Sequence, residues 1–195
     1  MAVRTDSPEV FALLCEAEKE FGRPIRTPSD FVLVADRIES KTGEHISDST
    51  IKRLCKPNLS YKTVSERSLN VIAQYAGYLH FAAFCKALGE KGIAESGFAK
   101  LPGAVFSDQL SPGDRIRIAW QPDRVCLLRY DGSHRFTVLE AVNAKIHPGD
   151  SFQCSSFVKG RPLYVDNLRQ NGTMIPSYGM GTAHGLTLVE KVDWN

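Results

Sequence analysis

The chain has 195 residues, of which 43% are hydrophobic, and a formal net charge of +2. That is enough for one large or two modest globular domains, and it excludes a strongly basic or acidic protein. It holds no apolar run of the roughly 18 residues that a membrane helix needs. The opening residues Met1 to Asp6 lack the apolar core of a signal peptide, so the expected location is the cytoplasm, with no membrane partner.

Residues 8–21 read as the first helix. Ser7 can cap it, Pro8 fits the first helical position, and Val10, Phe11, Leu13, Leu14, Ala17 and Phe21 recur at helical spacing before Gly22. The second starts at Thr27-Pro28-Ser29-Asp30, turns Phe31, Val34, Ala35 and Ile38 to one side and ends at Gly43. A short third helix starts at Ser47, faces Ile51 and Leu54 inward, and leaves Lys52, Arg53 and Lys56 outside before Pro57. The fourth is expected from Thr63, with Glu66 completing a capping box and Leu69, Ile72, Ala73 and Ala76 inward. Phe81 and Phe84 anchor a last helix near 79–88.

The character then changes. Residues 89–113 hold five glycines and two prolines, and 91–113 read as a connector. From Asp114 the period drops to two: Ile116, Ile118 and Trp120 alternate with Arg115, Arg117 and Ala119. Further strands are expected at 124–130, 135–142, 151–158, 162–168 and 185–192, with a turn at Asp131-Gly132-Ser133-His134. The fold class is therefore α+β in two domains: a helical domain over 1–90, then a β-rich domain over 114–195 that curls into a small antiparallel barrel or packs as a sandwich. Pro112-Gly113-Asp114 and Pro148-Gly149-Asp150 form an echo 36 residues apart, read as two similar turns or as a duplicated half-barrel.

Five cysteines (Cys15, Cys55, Cys85, Cys126 and Cys154) include no Cys-x-x-Cys pair and are expected as reduced, mostly buried thiols. None of the five histidines, His45, His80, His134, His147 and His184, has metal-ligand spacing with another His or Cys. No paired carboxylates stand out. The expectation is no metal, no cofactor and no enzyme. The glycine-rich stretch Tyr178 to Gly185 lacks the Gly-Lys-Ser/Thr of a phosphate loop and reads as a loop before the last strand, able to close over a ligand or partner.

The helical half carries the stronger functional pattern. Between His45 and Arg67, five cations (Lys52, Arg53, Lys56, Lys62 and Arg67) face two acids, Asp48 and Glu66. The stretch Thr42-Gly43-Glu44-His45-Ile46-Ser47-Asp48-Ser49-Thr50-Ile51-Lys52-Arg53-Leu54, with Ser68 to Tyr78 and Phe81, resembles a helix-turn-helix region found in many Bacteroidetes proteins. It is distantly similar to the phage-repressor type, whose following helix is matched here by Leu69, Ile72-Ala73 and Ala76-Gly77. The resemblance covers roughly residues 28–84. The turn from Gly43 to Ile46 is about two residues longer than in the repressor pattern.

The resemblance implies double-stranded DNA as partner, with Ile51 and Leu54 as core positions of a recognition helix. Ser47, Ser49, Lys52, Arg53, Lys56 and Lys62 are the candidate DNA-binding residues: Ser47, Ser49 and Lys52 for base edges, and Arg53, Lys56 and Lys62 for phosphates, with Lys52 also free to meet the backbone. A dimer would set two such helices about one DNA turn apart. Arg115 and Arg117 share one strand face and are a candidate second nucleic-acid surface, or a solvated strand face. The β domain is expected to dimerise, bind a small ligand or contact a protein. Two other functions stay open: a protein-interaction module without DNA binding, and a ligand sensor or enzyme with a cavity near His184 and Tyr178.

Overall fold

The computed structural model describes residues 2–56, 63–90, 94–95, 98–99 and 103–192. It divides into two units, Met1–Leu101 and Pro102–Asn195, so the later part of the stretch read as a connector belongs to the second unit.

The first unit opens with β1 (Ala2–Arg4) and α1 (Pro8–Phe21). The Ser7 hydroxyl accepts from the Val10 amide at 3.3 Å, and Gly22 ends the helix at φ +83°. In α2 (Pro28–Thr42), Thr27 and Asp30 form a reciprocal capping box. Asp30 is buried. Its Oδ2 accepts from the Thr27 amide and hydroxyl, both at 2.8 Å, and from the Arg26 amide at 3.2 Å, while Oδ1 meets Arg23 at 2.7 Å. Burial alone would push this carboxyl up. The Thr27 and Arg26 hydrogen bonds and the Arg23 charge overcome it and hold it below the ordinary aspartate value.

After α3 (Asp48–Cys55) the chain reaches β2 (Thr63–Ser65), α4 (Glu66–Tyr75) and α5 (Phe81–Glu90). The expected capping box at Thr63 is not what forms. Residues 63–65 pair antiparallel with β1, Val3 opposite Val64, and Ser65 caps α4 by accepting from the Ser68 amide at 3.2 Å. Val64 is buried, and its packing outweighs the local cap pattern. The last helix starts two residues later than expected, where the Asn70 side chain accepts from the Phe81 amide at 2.9 Å. The apolar faces of α1 to α5 meet in one core. Two short strands, β3 (Ala94–Glu95) and β4 (Phe98–Ala99), pair antiparallel at the end of this unit.

The second unit holds β5 (Ala104–Phe106), a single 3-10 turn at Ser107–Gln109, and then β6 (Arg115–Trp120), β7 (Arg124–Gly132) and β8 (Arg135–Val142). It continues through β9 (Ser151–Gln153), β10 (Ser156–Val158), β11 (Leu163–Gln170), β12 (Thr173–Met180) and β13 (Leu186–Val192). Seven strands form one antiparallel sheet in the order β12-β11-β9-β8-β7-β6-β13, and β5 pairs separately with β10. Ile116, Ile118, Leu128, Phe136, Val138, Phe152, Val165 and Leu186 share its core.

The expected barrel is not formed. The sheet is open, with β12 and β13 as outer strands and no ladder between them among the described residues. Pro176 inside β12 lacks an amide donor, and Glu190 and Lys191 lie on β13, all features of strand edges. The expected strand over 151–158 is two strands, because the chain changes partner from β8 and β11 to β5 at Cys154-Ser155. The two Pro-Gly-Asp segments make one and the same turn: Asp114 Oδ2 accepts from the Ser111 amide at 2.9 Å, and Asp150 Oδ2 from the His147 amide at 2.8 Å. All five cysteines are free thiols, with Cys126 and Cys154 buried and the other three half-buried. No helix is long and apolar enough to cross a membrane among the described residues.

Candidate functional site

The helix α3 has eight residues, too few to hold its shape alone. Packing holds it: Ile51 and Leu54 are 1% and 0% exposed within the helical core. The Ser47 hydroxyl accepts from the Thr50 amide at 3.2 Å and lies 3.0 Å from the Ser49 hydroxyl. Ser47 therefore serves as the cap, which ties up the group expected to read a base. Asp48 accepts from the Ser49 amide at 2.7 Å beside the helix start, where the dipole favours its charge.

Ser49, Lys52 and Arg53 stand at positions i, i+3 and i+4, one stripe away from the buried face, while Lys56 follows the helix as its C-cap. Lys52 and Arg53 are exposed. Lys52 makes no ion pair among the described residues, while the Arg53 Nε donates to the Ser49 carbonyl at 3.2 Å. Lys56 is half-buried and lies 5.4 Å from the Phe31 ring centre, so its stem covers α2. Arg67 on α4 pairs with Glu44 at 2.9 Å. Lys62 lies outside the described residues.

On the β unit, Arg117 is exposed and pairs with Glu190 at 3.1 Å. Nearby, Arg129 meets Asp131 at 2.7 Å and Lys191 meets Asp114 at 2.8 Å. Arg115, half-buried, lies opposite Arg129 and Val192 in the ladder. The basic residues of the first hairpin thus sit among carboxylates, which lowers the positive field a phosphate backbone would meet.

A second site lies at the other end of this sheet. Tyr178 to Met180, read from sequence as part of a loop, belongs to β12 and pairs with Leu163 to Val165. Residues 181–185 then form a tight turn, closed by the Gly185 amide donating to the Gly181 carbonyl at 2.7 Å. This five-residue turn carries the chain from one outer strand to the other. Gly185 has φ +77°, and a Cβ there would overlap the Gly160 carbonyl and fall 2.7 Å from the Arg161 amide nitrogen. Only glycine permits that approach.

A cavity of about 310 Å³ opens beside the turn, lined by Trp120 at the end of β6, Arg124 at the start of β7, Lys145 beyond β8, Tyr178 and His184. Trp120 is 5% exposed, and Tyr178 is half-buried. The Arg124 Nε donates to the Asn143 carbonyl at 3.2 Å. Among the described residues, the Nη atoms of Arg124 and the Nζ of Lys145 meet no acceptor. The sequence flagged Tyr178 and His184 here. Trp120, Arg124 and Lys145 join them through strand order, which no local pattern encodes.

One serine and histidine do meet: Ser107 Oγ lies 2.6 Å from His134 Nδ1. The nearby Asp108 carboxylate approaches that same nitrogen at 3.9 Å, so it does not brace the opposite side of the ring as a catalytic triad requires. Ser107 is 1% exposed and also lies 3.1 Å from the Ser155 carbonyl. The cluster ties the β7–β8 hairpin to the segment before β10. Among the described residues no group of three His, Cys, Asp or Glu side chains could hold a metal. No protein-family model, curated protein or solved structure matches the chain.

Proposed function

We propose that the chain is a DNA-binding protein, a transcriptional regulator of the helix-turn-helix kind, with α3 as its recognition helix. One observation carries the reading: a short helix anchored through Ile51 and Leu54 presents Lys52 and Arg53 outward, directly after the longer α2. In this arrangement α2 crosses the backbone while the first residues of α3 reach the major groove. Ser49 would face base edges. Lys52 and Arg53 would meet phosphates, and Ser47 holds the helix start rather than a base. Asp48 would sit near a cytosine amino group, since a phosphate there would be repelled.

The test is fluorescence polarisation of the full chain against a random duplex library at two salt concentrations. Salt-sensitive binding that Lys52→Ala with Arg53→Ala weakens, in a chain that keeps its helical circular dichroism, supports the reading. Equal binding by the doubly substituted chain rejects it.

A further inference from the structure

We infer that the cavity beside the 181–185 turn is a binding site for a small organic oxyanion, a phosphate or carboxylate carried on a planar apolar body. Every lining residue lies in the second unit, so the inference stands apart from DNA binding by α3.

Charge comes first. The lining holds Arg124, Lys145 and His184 and no carboxylate. Elsewhere in the same unit, Arg117, Arg129 and Lys191 each meet an acid. Arg124 and Lys145 instead turn into a concave space without one among the described residues. Cations gathered in a cleft with low-dielectric walls focus a positive potential on whatever enters. A planar guanidinium suits a two-oxygen acceptor, and the adjacent ammonium adds a point charge. The Asn143 carbonyl holds the Arg124 Nε, which fixes one edge of the guanidinium and leaves the Nη edge to bind.

Shape comes second. The lining also includes Trp120, Tyr178 and Met180, and the half-buried Tyr178 ring offers an aromatic contact beside the cations. A volume of about 310 Å³ is at the lower end of the range for ligand sites, room for one small molecule rather than a peptide. The wall is pre-formed: Met180 is 2% exposed, and the turn beyond it is closed by its own backbone hydrogen bond. Binding needs little ordering of the chain.

The test is calorimetric titration of the full chain with phenyl phosphate, benzoate, inorganic phosphate and benzyl alcohol. Phenyl phosphate or benzoate should bind about tenfold tighter than both inorganic phosphate and the neutral alcohol, since charge and ring each contribute. Which of the two binds tighter identifies the preferred anion. Arg124→Gln and Lys145→Gln should each weaken that binding by about tenfold without lowering the melting temperature. Lys145 is exposed, so its variant keeps the test sound should Arg124→Gln disturb the β7 start. The inference is overturned by any of three results: no binding by either aromatic anion at roughly 10 mM, equal binding of anion and alcohol, or full affinity in the folded Lys145→Gln chain.

Discussion

Leu54→Ala and Lys52→Ala are two residues apart on one helix and should have opposite consequences. Leu54 is 0% exposed and sits in the core shared by α1, α2 and α4. The substitution removes three carbons at about 0.8 kcal/mol each, or about 2.4 kcal/mol of burial. The space left behind cannot close fully, which raises the cost to about 3–4 kcal/mol. That is a large share of the roughly 5–15 kcal/mol that holds a domain together. Lys52 is exposed and lacks an ion pair among the described residues, so its replacement should change stability by less than about 0.5 kcal/mol. Urea melts followed at the helical circular-dichroism band measure both. The Leu54→Ala midpoint should fall by roughly 1–2 M, and the Lys52→Ala midpoint should stay near that of the parent chain. Similar shifts for both, or a cost under about 1 kcal/mol for Leu54→Ala, would refute the orientation of α3.

Two other perturbations probe the frame around the sites. Because its carboxyl is held below the ordinary value, Asp30 adds stability that is fully present above the unfolded value near pH 3.9 and is lost as pH falls through the lower folded one. The stability gap between the parent chain and Asp30→Asn should be constant at neutral pH and narrow on the acid side of about pH 4; a gap that widens there contradicts the assignment. Gly185→Ala places a Cβ on the Gly160 backbone at a φ of +77°, so it should cost about 2 kcal/mol or more and lower the melting temperature of the β unit. An unchanged melt would show that the approach of the two segments is not structural.

The helical unit was largely legible because its punctuation is local. Ser7, Thr27 and Ser47 cap the helices they precede in sequence, and Gly22 and Gly43 end theirs at positive φ. The start of α4 is ambiguous in sequence because Ser65 and Thr63 both carry hydroxyls, and the choice depends on Val64 meeting Val3 across some sixty residues. The β unit was legible as alternation but not as closure. Alternation tells which face is buried, whereas the identity of the outer strands is a matter of pairing. The strand β12 is hard to see in sequence because Pro176 and Gly179 weaken its pattern. Its signal was present in Asn171-Gly172, which turns from β11 into β12 with φ +50° and +77°. Of the candidate DNA-binding residues, Lys52 and Arg53 lie outward as expected, while the Ser47 hydroxyl and the Lys56 stem are engaged within the fold. The cavity at Trp120 and Lys145 depends on strand order, which no local pattern encodes.

The most direct measurement is the slope of duplex affinity against salt for the parent chain and for the chain carrying Lys52→Ala and Arg53→Ala. Each phosphate contact adds about 0.9 to that slope, so the double substitution should flatten it by roughly 1.8 and weaken binding at low salt. A parent chain with no salt-dependent affinity, or two parallel lines of equal height, would contradict α3 as a DNA-contacting helix.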